Sequence, residues 1–266
     1  MTPEIAISCV LGGAFGLLFG SFFNVCIYRI PRDLSVVLPR SFCPECGHSI
    51  AAYDNIPLLS YALLGGRCRA CRQAIGWRYP TVEFTTAVLF ALVVWRYGWT
   101  LAALKWALFE SLMVALFWID LEERLLPDEL TLGGSLAGLA LAIWVPVPGI
   151  LTYISSPGGN RALLSIMDAA LAGVIFSGAL WILRILYYKV RHREGVGLGD
   201  VKLLLLLGIF LGVQDELTGL LIGSVGGSVI SVLFLIAARK NASTYELPYG
   251  TFLCAGAALV PLLVPS

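Results

Sequence analysis

Apolar windows long enough to cross a bilayer recur along almost the whole chain, and this feature restricts its fold most. About 20 predominantly apolar residues span the hydrocarbon core as a helix. Eight windows read this way: Ile5 to Ile27, Thr81 to Tyr97, Leu101 to Ile119, Leu130 to Val147, Leu164 to Tyr188, Val201 to Val213, Leu217 to Ala238 and Tyr249 to Val264. The sixth is short, which keeps open a seven-helix version with one re-entrant segment. Lipid offers no partner for backbone N–H and C=O groups, so each window must satisfy its own as a helix. Only 13% of residues are charged and 58% are hydrophobic, against roughly 25% charged in soluble domains. The fold class expected is therefore all-α and polytopic, with about eight transmembrane helices and a small cytoplasmic loop domain. A net charge of +1 points to no partner, and no nucleic acid is expected beside the lipid bilayer. The first window carries Glu4 ahead of it instead of a basic region and runs on to Ile27, so a retained helix is expected, not a cleaved signal.

Lysines and arginines set the orientation. With alternating passes, 15 of the 18 fall on one side. They are the seven between Arg29 and Arg78, Arg124, the cluster Arg184 to Arg193, Lys202, Arg239 and Lys240. Arg96, Lys105 and Arg161 remain opposite. The positive-inside rule makes the rich side cytoplasmic and puts both termini outside. Three pieces follow: residues 1–27 as the first helix, 28–80 as a cytoplasmic zinc-binding loop domain, and 81–266 as a multi-helix core. The exterior stretch Pro148 to Ala162 is rich in Gly, Ser and Pro and reads as a flexible loop.

The cytoplasmic loop carries Cys43-Pro44-Glu45-Cys46 and Cys68-Arg69-Ala70-Cys71, with 21 residues between the pairs. Two such pairs signal zinc, and four thiolates close a tetrahedral shell with no open position, so the metal is structural. A loop of this size is too poor in apolar residues to fold alone, and a metal supplies the missing free energy. A disulfide or redox pair is the rival reading, disfavoured by a cytoplasmic setting.

Gly197-Leu198-Gly199-Asp200-Val201-Lys202 opens the sixth window with an ionisable pair, a costly placement that reads by default as functional. Its two glycines let the backbone turn sharply or approach a neighbour. Asp120 closes the third window, and the orientation above brings both aspartates to the cytoplasmic face. Two carboxylates a few ångströms apart hold one proton between them. The ionised one can activate water while the protonated one polarises a carbonyl, which is metal-free peptide hydrolysis. The plain alternative is that each aspartate caps a helix. Lys202 either tunes Asp200 or snorkels to headgroups. Asp128, after Pro127, reads as the cap of the fourth helix. Lys105 and Glu110 read as an intramembrane salt bridge or polar contact. Glu83 is placed to line a site at the cytoplasmic face, and His48 and His192 read as exposed. The chain has no HExxH, GxGxxG or P-loop pattern, no Ser/His/Asp order and no internal repeat.

Several stretches together resemble bacterial type IV prepilin peptidases. They are Gly20-Ser21-Phe22-Phe23-Asn24-Val25 through Tyr28-Arg29-Ile30-Pro31, the paired cysteines, Asn55-Ile56-Pro57-Leu58-Leu59-Ser60, and Gly65-Gly66-Arg67-Cys68. Arg78-Tyr79-Pro80 with Glu83, Asp120 through Leu126-Pro127-Asp128-Glu129-Leu130-Thr131, and Gly197-Leu198-Gly199-Asp200 complete the set. The resemblance implies a bifunctional enzyme of the bacterial inner membrane with its active site facing the cytoplasm. Asp120 and Asp200 would be the catalytic pair of a GxGD-type aspartic protease, cutting type IV prepilins or pseudopilins after a glycine. It also implies methylation of the new N-terminus by S-adenosylmethionine, with Gly66 and Arg67 carried over toward the methyl donor. Supporting positions are Gly197, Gly199, Lys202, Asp128 and Glu83. A peptidase lacking methyl transfer, and a membrane scaffold or transporter with a zinc docking domain, are the competing readings.

Overall fold

The computed structural model describes residues 2–154, 160–193, 195, 197–238 and 248–264. Among the described residues there is no strand, only two isolated bridges, Phe42 to Ser49 and Arg67 to Ala74. The α-helices are α1 (Pro3–Arg29), α2 (Leu59–Leu63), α3 (Arg78–Tyr97), α4 (Leu101–Glu123), α5 (Asp128–Leu141), α6 (Ile150–Ile154), α7 (Arg161–Arg191), α8 (Leu198–Ala238) and α9 (Tyr249–Leu263). Two compact units result, Met1–Ala115 and Leu116–Ser266, with the boundary inside α4.

In the first unit α1 and α3 lie against each other along Gly12, Gly16 and Gly20. A Cβ at Gly16 would come within 2.6 Å of the Ala87 Cα and the Thr86 carbonyl. Small residues every fourth position let two backbones touch where lipid gives no hydrophobic drive to association. At the end of this pair, Asn24 donates to the Tyr79 carbonyl (3.0 Å), and the Arg29 guanidinium donates to the carbonyls of Ser35 and Pro39 (both 2.8 Å). These bonds tie the cysteine-bearing loop to both helices.

In the second unit α8 packs on α5, α7 and α9. Its faces are again cut back to glycine: Gly208 abuts Gly173 of α7, and Gly223 abuts Gly256 of α9. The sixth and seventh windows form one helix broken at Gly212, where φ is 79° and ψ 171°. A Cβ there would lie 2.6 Å from the Pro148 carbonyl, so both the dihedral and the space require glycine. The break falls at Gly212, not in the 213–217 gap between the two windows.

Four helices, α1, α4, α7 and α8, are long and apolar enough to cross a membrane. Their outward side chains are apolar, as at Val10, 71% exposed, and Leu233, 61% exposed, a surface that water disfavours and acyl chains accept. The remaining windows are helical too. However, α5 and α9 have 14 and 15 residues, and α3 carries Arg78, Glu83 and Arg96.

Three expectations need correction. Within the stretch Pro148 to Ala162, α6 is helical, not loose. Asp168 of α7 accepts from the N–H groups of Leu151 (2.9 Å) and Thr152 (2.8 Å) and from the Thr152 hydroxyl (2.5 Å). Residues 155–159 of that stretch lie outside the described residues, as do Arg239 and Lys240. Glu110 forms neither the expected salt bridge nor a polar contact: both oxygens are buried with no hydrogen-bond partner, while the Lys105 ammonium lies over the Trp106 ring at 4.8 Å. Finally, Pro127 takes the capping position of α5. Asp128 is the first residue of that helix and accepts from the Lys202 ammonium at 2.6 Å.

Candidate active site

Asp120 lies one turn from the end of α4, and its position is fixed by α9. Its Oδ2 accepts from the Thr251 backbone N–H (2.5 Å) and from the Thr251 hydroxyl (2.7 Å). Thr251 is the third residue of α9, where N–H groups have no partner inside the helix and the macrodipole favours an anion. Asp120 therefore supplies, from another helix, the acceptor that the start of α9 lacks.

Asp200 is the third residue of α8, and its carboxylate accepts from the backbone N–H of Gly197 just ahead of the helix. An acid at this position reaching back to the capping N–H is one half of a capping box. Both aspartates thus sit at helix N-termini, so the capping alternative holds geometrically. It does not exclude chemistry, because the two helix openings that hold the aspartates converge on one side chain.

Leu126 fills the wedge beside them. A Cβ at Gly199 would come 3.0 Å from the Leu126 Cβ; one at Gly250 would come 3.2 Å from its Cδ1 and 3.1 Å from the Asp120 Cγ and Oδ2. Close approach at Gly199, not a sharp turn, is what requires glycine in this stretch. At Gly197 a Cβ would touch nothing closer than Asp200 at 3.5 Å among the described residues. Lys202 reaches Asp128, joining the first turns of α8 and α5. Gly250 and Thr251 were missed from sequence, and Leu126 entered only as part of the stretch that follows Asp120. The signal for the first two was Tyr249-Gly250-Thr251 following Pro248 at the mouth of the last apolar window.

The four loop cysteines are brought together in the first unit, all Sγ atoms within 4.8 Å of one another, and none is in a disulfide. Cys43 and Cys71 Sγ are 3.9 Å apart, close to the roughly 3.8 Å edge of a tetrahedron with 2.3 Å metal–sulfur bonds. The donor set and spacing fit a metal. The two Cys-x-x-Cys turns repeat each other: Gly47 N–H donates to the Cys43 carbonyl and Arg72 N–H to the Cys68 carbonyl. The following residue is left-handed in both, φ 69° at Gly47 and 61° at Arg72. Backbone N–H groups of Cys71 and then Ala70 draw the Cys68 thiol down to about 7, while Cys71 beside it is pushed up to about 11, so without a metal the cluster does not hold four thiolates at once.

Glu83 is also in this unit, buried, its Oε2 accepting from the Leu58 N–H (2.8 Å) and the carboxylate also from Ser21. It lines a cavity of about 360 Å³ between α1, α3 and the loop. Of the two residues carried over toward a methyl donor, neither lines that cavity. Arg67 is exposed, and Gly66 (φ 66°) packs on the Tyr61 ring, where a Cβ would lie 3.0 Å from the hydroxyl.

Residues 14–97 match the model of the bacterial peptidase A24 N-terminal domain, and residues 106–232 that of the type IV leader peptidase family. A prepilin leader peptidase/N-methyltransferase of Pseudomonas putida is 36% identical over 95% of this chain and 90% of its own length. The chain belongs to the type IV leader peptidase family. A relative of the same name in Pseudomonas aeruginosa is 34% identical over 90% of the chain and 84% of its own length. One in Myxococcus xanthus is 40% identical over 85% of the chain, which spans 62% of that relative. No solved structure matches significantly. The N-terminal match ends with α3 and contains the four cysteines and Glu83; the leader peptidase match begins inside α4 and contains Asp120, Leu126 and Asp200.

Proposed function

We propose that this member of the leader peptidase family removes the leader from type IV prepilins or pseudopilins and then methylates the new N-terminus, using S-adenosylmethionine. The observation that carries the peptidase half is that two helix openings, at Gly199 beside Asp200 and at Gly250 beside Asp120, pack on one side chain, Leu126. A carboxylate is acceptor-only when ionised. Asp120, receiving two donors on one oxygen, suits the ionised role; Asp200, with one backbone donor, suits carriage of the shared proton. A water between them is deprotonated by Asp120 and attacks the scissile carbonyl while Asp200 donates to its oxygen. The leaving amine then takes a proton from the pair, so no metal or covalent intermediate is needed.

The bacterial inner membrane is the proposed location, with both termini outside and the two aspartates at the cytoplasmic face, as the excess of lysine and arginine there favours. In this reading all eight apolar segments cross the bilayer, the two limbs of α8 counting separately. A prepilin's apolar helix would lie against the exposed apolar faces of the bundle, its basic leader remaining at the surface. The Cys43, Cys46, Cys68 and Cys71 cluster would hold one structural zinc, clamping the loop without taking part in either reaction.

Asp120→Asn and Asp200→Asn, each in the full chain, test the assignment. Both variants should insert and retain the wild-type melting temperature within a few degrees, yet leave a prepilin substrate uncut. Cleavage by either variant at the wild-type rate excludes that aspartate from the chemistry.

A further inference from the structure

The cavity in the first unit is built for a ligand that the peptidase reaction does not use. Asn24 is 3% exposed; its amide N–H groups are committed to the Gly20 and Tyr79 carbonyls, and its Oδ1 has no partner. A buried acceptor left unpaired costs on the order of 1–3 kcal/mol, and Asn24 lines the cavity together with Glu83. The cations nearby are already engaged. Arg69 is held by the Asp54 carboxylate through two bonds of 2.6 and 2.7 Å, and Arg29 by loop carbonyls. The buried lining therefore presents an acid and an acceptor to whatever enters, which calls for a cationic donor. Tyr28, Phe42, Tyr61 and Tyr79 form its aromatic wall. Arg32, Arg29 and Arg78 lie over Tyr28, Phe42 and Tyr79 at 4.5, 5.8 and 4.7 Å, which leaves Tyr61 as the ring for a cation or a purine.

We infer that this cavity seats the methyl donor, with Glu83 and Asn24 Oδ1 receiving its ammonium and Tyr61 facing its sulfonium or purine. S-adenosylmethionine combines an ammonium, a sulfonium and a flat aromatic base. Cations over aromatic faces gain free energy that grows as water is excluded. A volume of about 360 Å³ falls in the range of roughly 300–1,000 Å³ for small-molecule sites. In the transfer, the amine lone pair bonds the methyl carbon, the carbon–sulfur pair stays on sulfur, and the nitrogen's proton goes to water. Gly66 becomes a positioning residue. It acts through Tyr61, whose hydroxyl also reaches the Ile75 carbonyl (3.4 Å), and a side chain at 66 would push that ring.

This inference rests on the methyltransferase half of the proposed function, and one set of measurements separates the two. Tritiated S-adenosylmethionine is titrated onto detergent-purified full-length protein, wild type and Glu83→Gln, with prepilin cleavage and thermal melts measured on the same samples. Glu83→Gln should bind at least tenfold more weakly and keep the wild-type melting temperature within a few degrees. Irradiation of the wild-type complex followed by peptide mapping should place the label within residues 21–83, with Tyr61 the preferred position, and requires no variant to fold. A label mapping outside residues 21–83, or unchanged affinity in Glu83→Gln, overturns the site while leaving the activity standing. Displacement of the donor by a mature pilin N-terminal peptide would mark the cavity as the peptide's seat and also overturns it. Absence of binding by the wild type, with an unmethylated product, removes both the site and the methyltransferase reading.

Discussion

Replacing Thr251 by valine removes one of the two donors that hold Asp120 and almost nothing else. The side chains have nearly the same shape, the residue is 2% exposed, and the backbone N–H at 2.5 Å stays in place. What is lost is the hydroxyl at 2.7 Å from Oδ2, with its longer approach of 3.4 Å to the Phe117 carbonyl. A hydrogen bond to a charged group contributes about 1.5–3 kcal/mol. If that bond is fully formed in the transition state and the freed carboxylate drifts when it is gone, roughly 1.4 kcal/mol per decade gives a 10- to 150-fold fall in kcat. Thr251 is too buried to touch a substrate helix, so KM should hardly move. Purified variant and wild type are compared by timed cleavage of a prepilin in detergent micelles, with thermal melts as the control for folding. Thr251→Ser, which keeps the hydroxyl and loses the methyl, should recover most of the activity. A valine variant with wild-type kcat, or a serine variant as impaired as the valine one, refutes the claim that this hydroxyl positions the carboxylate.

Gly250→Ala should abolish or severely reduce cleavage in the same assay with expression unchanged. Its new Cβ meets the Asp120 carboxyl at 3.1 Å and Leu126 at 3.2 Å, and Asp120 cannot withdraw without breaking its bonds to Thr251. Wild-type activity would show that the carboxylate has slack. Arg72→Gly should stabilise the metal loop by about 1 kcal/mol, since a non-glycine residue in the left-handed region costs on the order of 1–2 kcal/mol, partly offset by glycine's chain entropy. Chelator titration should show later metal loss, and earlier loss would contradict the matched-turn geometry. Cys43→Ser and Cys71→Ser should each lower the metal content of purified protein well below that of wild type, measured by mass spectrometry. Full retention in both rules out a four-thiolate site.

Much of this was legible because the bilayer narrows the options. Once a window must be helical, its length and apolar content suffice to locate it, and every apolar window read from the sequence is helical in the structure. The cysteine spacing needed only tetrahedral geometry. What stayed hidden depended on packing between distant segments. Nothing local distinguishes Thr251 from any other threonine opening an apolar helix; its meaning comes from a carboxylate 131 positions earlier. The break at Gly212 was misplaced by a few residues because a glycine amid leucines looks the same whether or not a carbonyl from residue 148 presses on it. Glu110 was assigned a partner because an acid in a membrane-length helix ought to have one, and both of its oxygens lack a hydrogen-bond partner.

The aspartates show why two readings of one residue need not compete. A cap and a catalyst have opposite requirements in water: a cap is satisfied by any acceptor, while a catalyst needs one particular charge in one place. In a membrane bundle both demands converge, because an exposed carboxylate at a helix opening is costly to bury unless N–H groups receive it. The N–H of Gly197 and the N–H and hydroxyl of Thr251 meet that cost for Asp200 and Asp120. Those donors also fix which oxygen of Asp120 is occupied, and in the proposed reaction Oδ1 is the atom that takes the proton from water. The openings of α8 and α9 are therefore the support that lets two acids be buried near one side chain, Leu126. The proposed peptidase needs two converging helix N-termini at least as much as it needs the acids themselves.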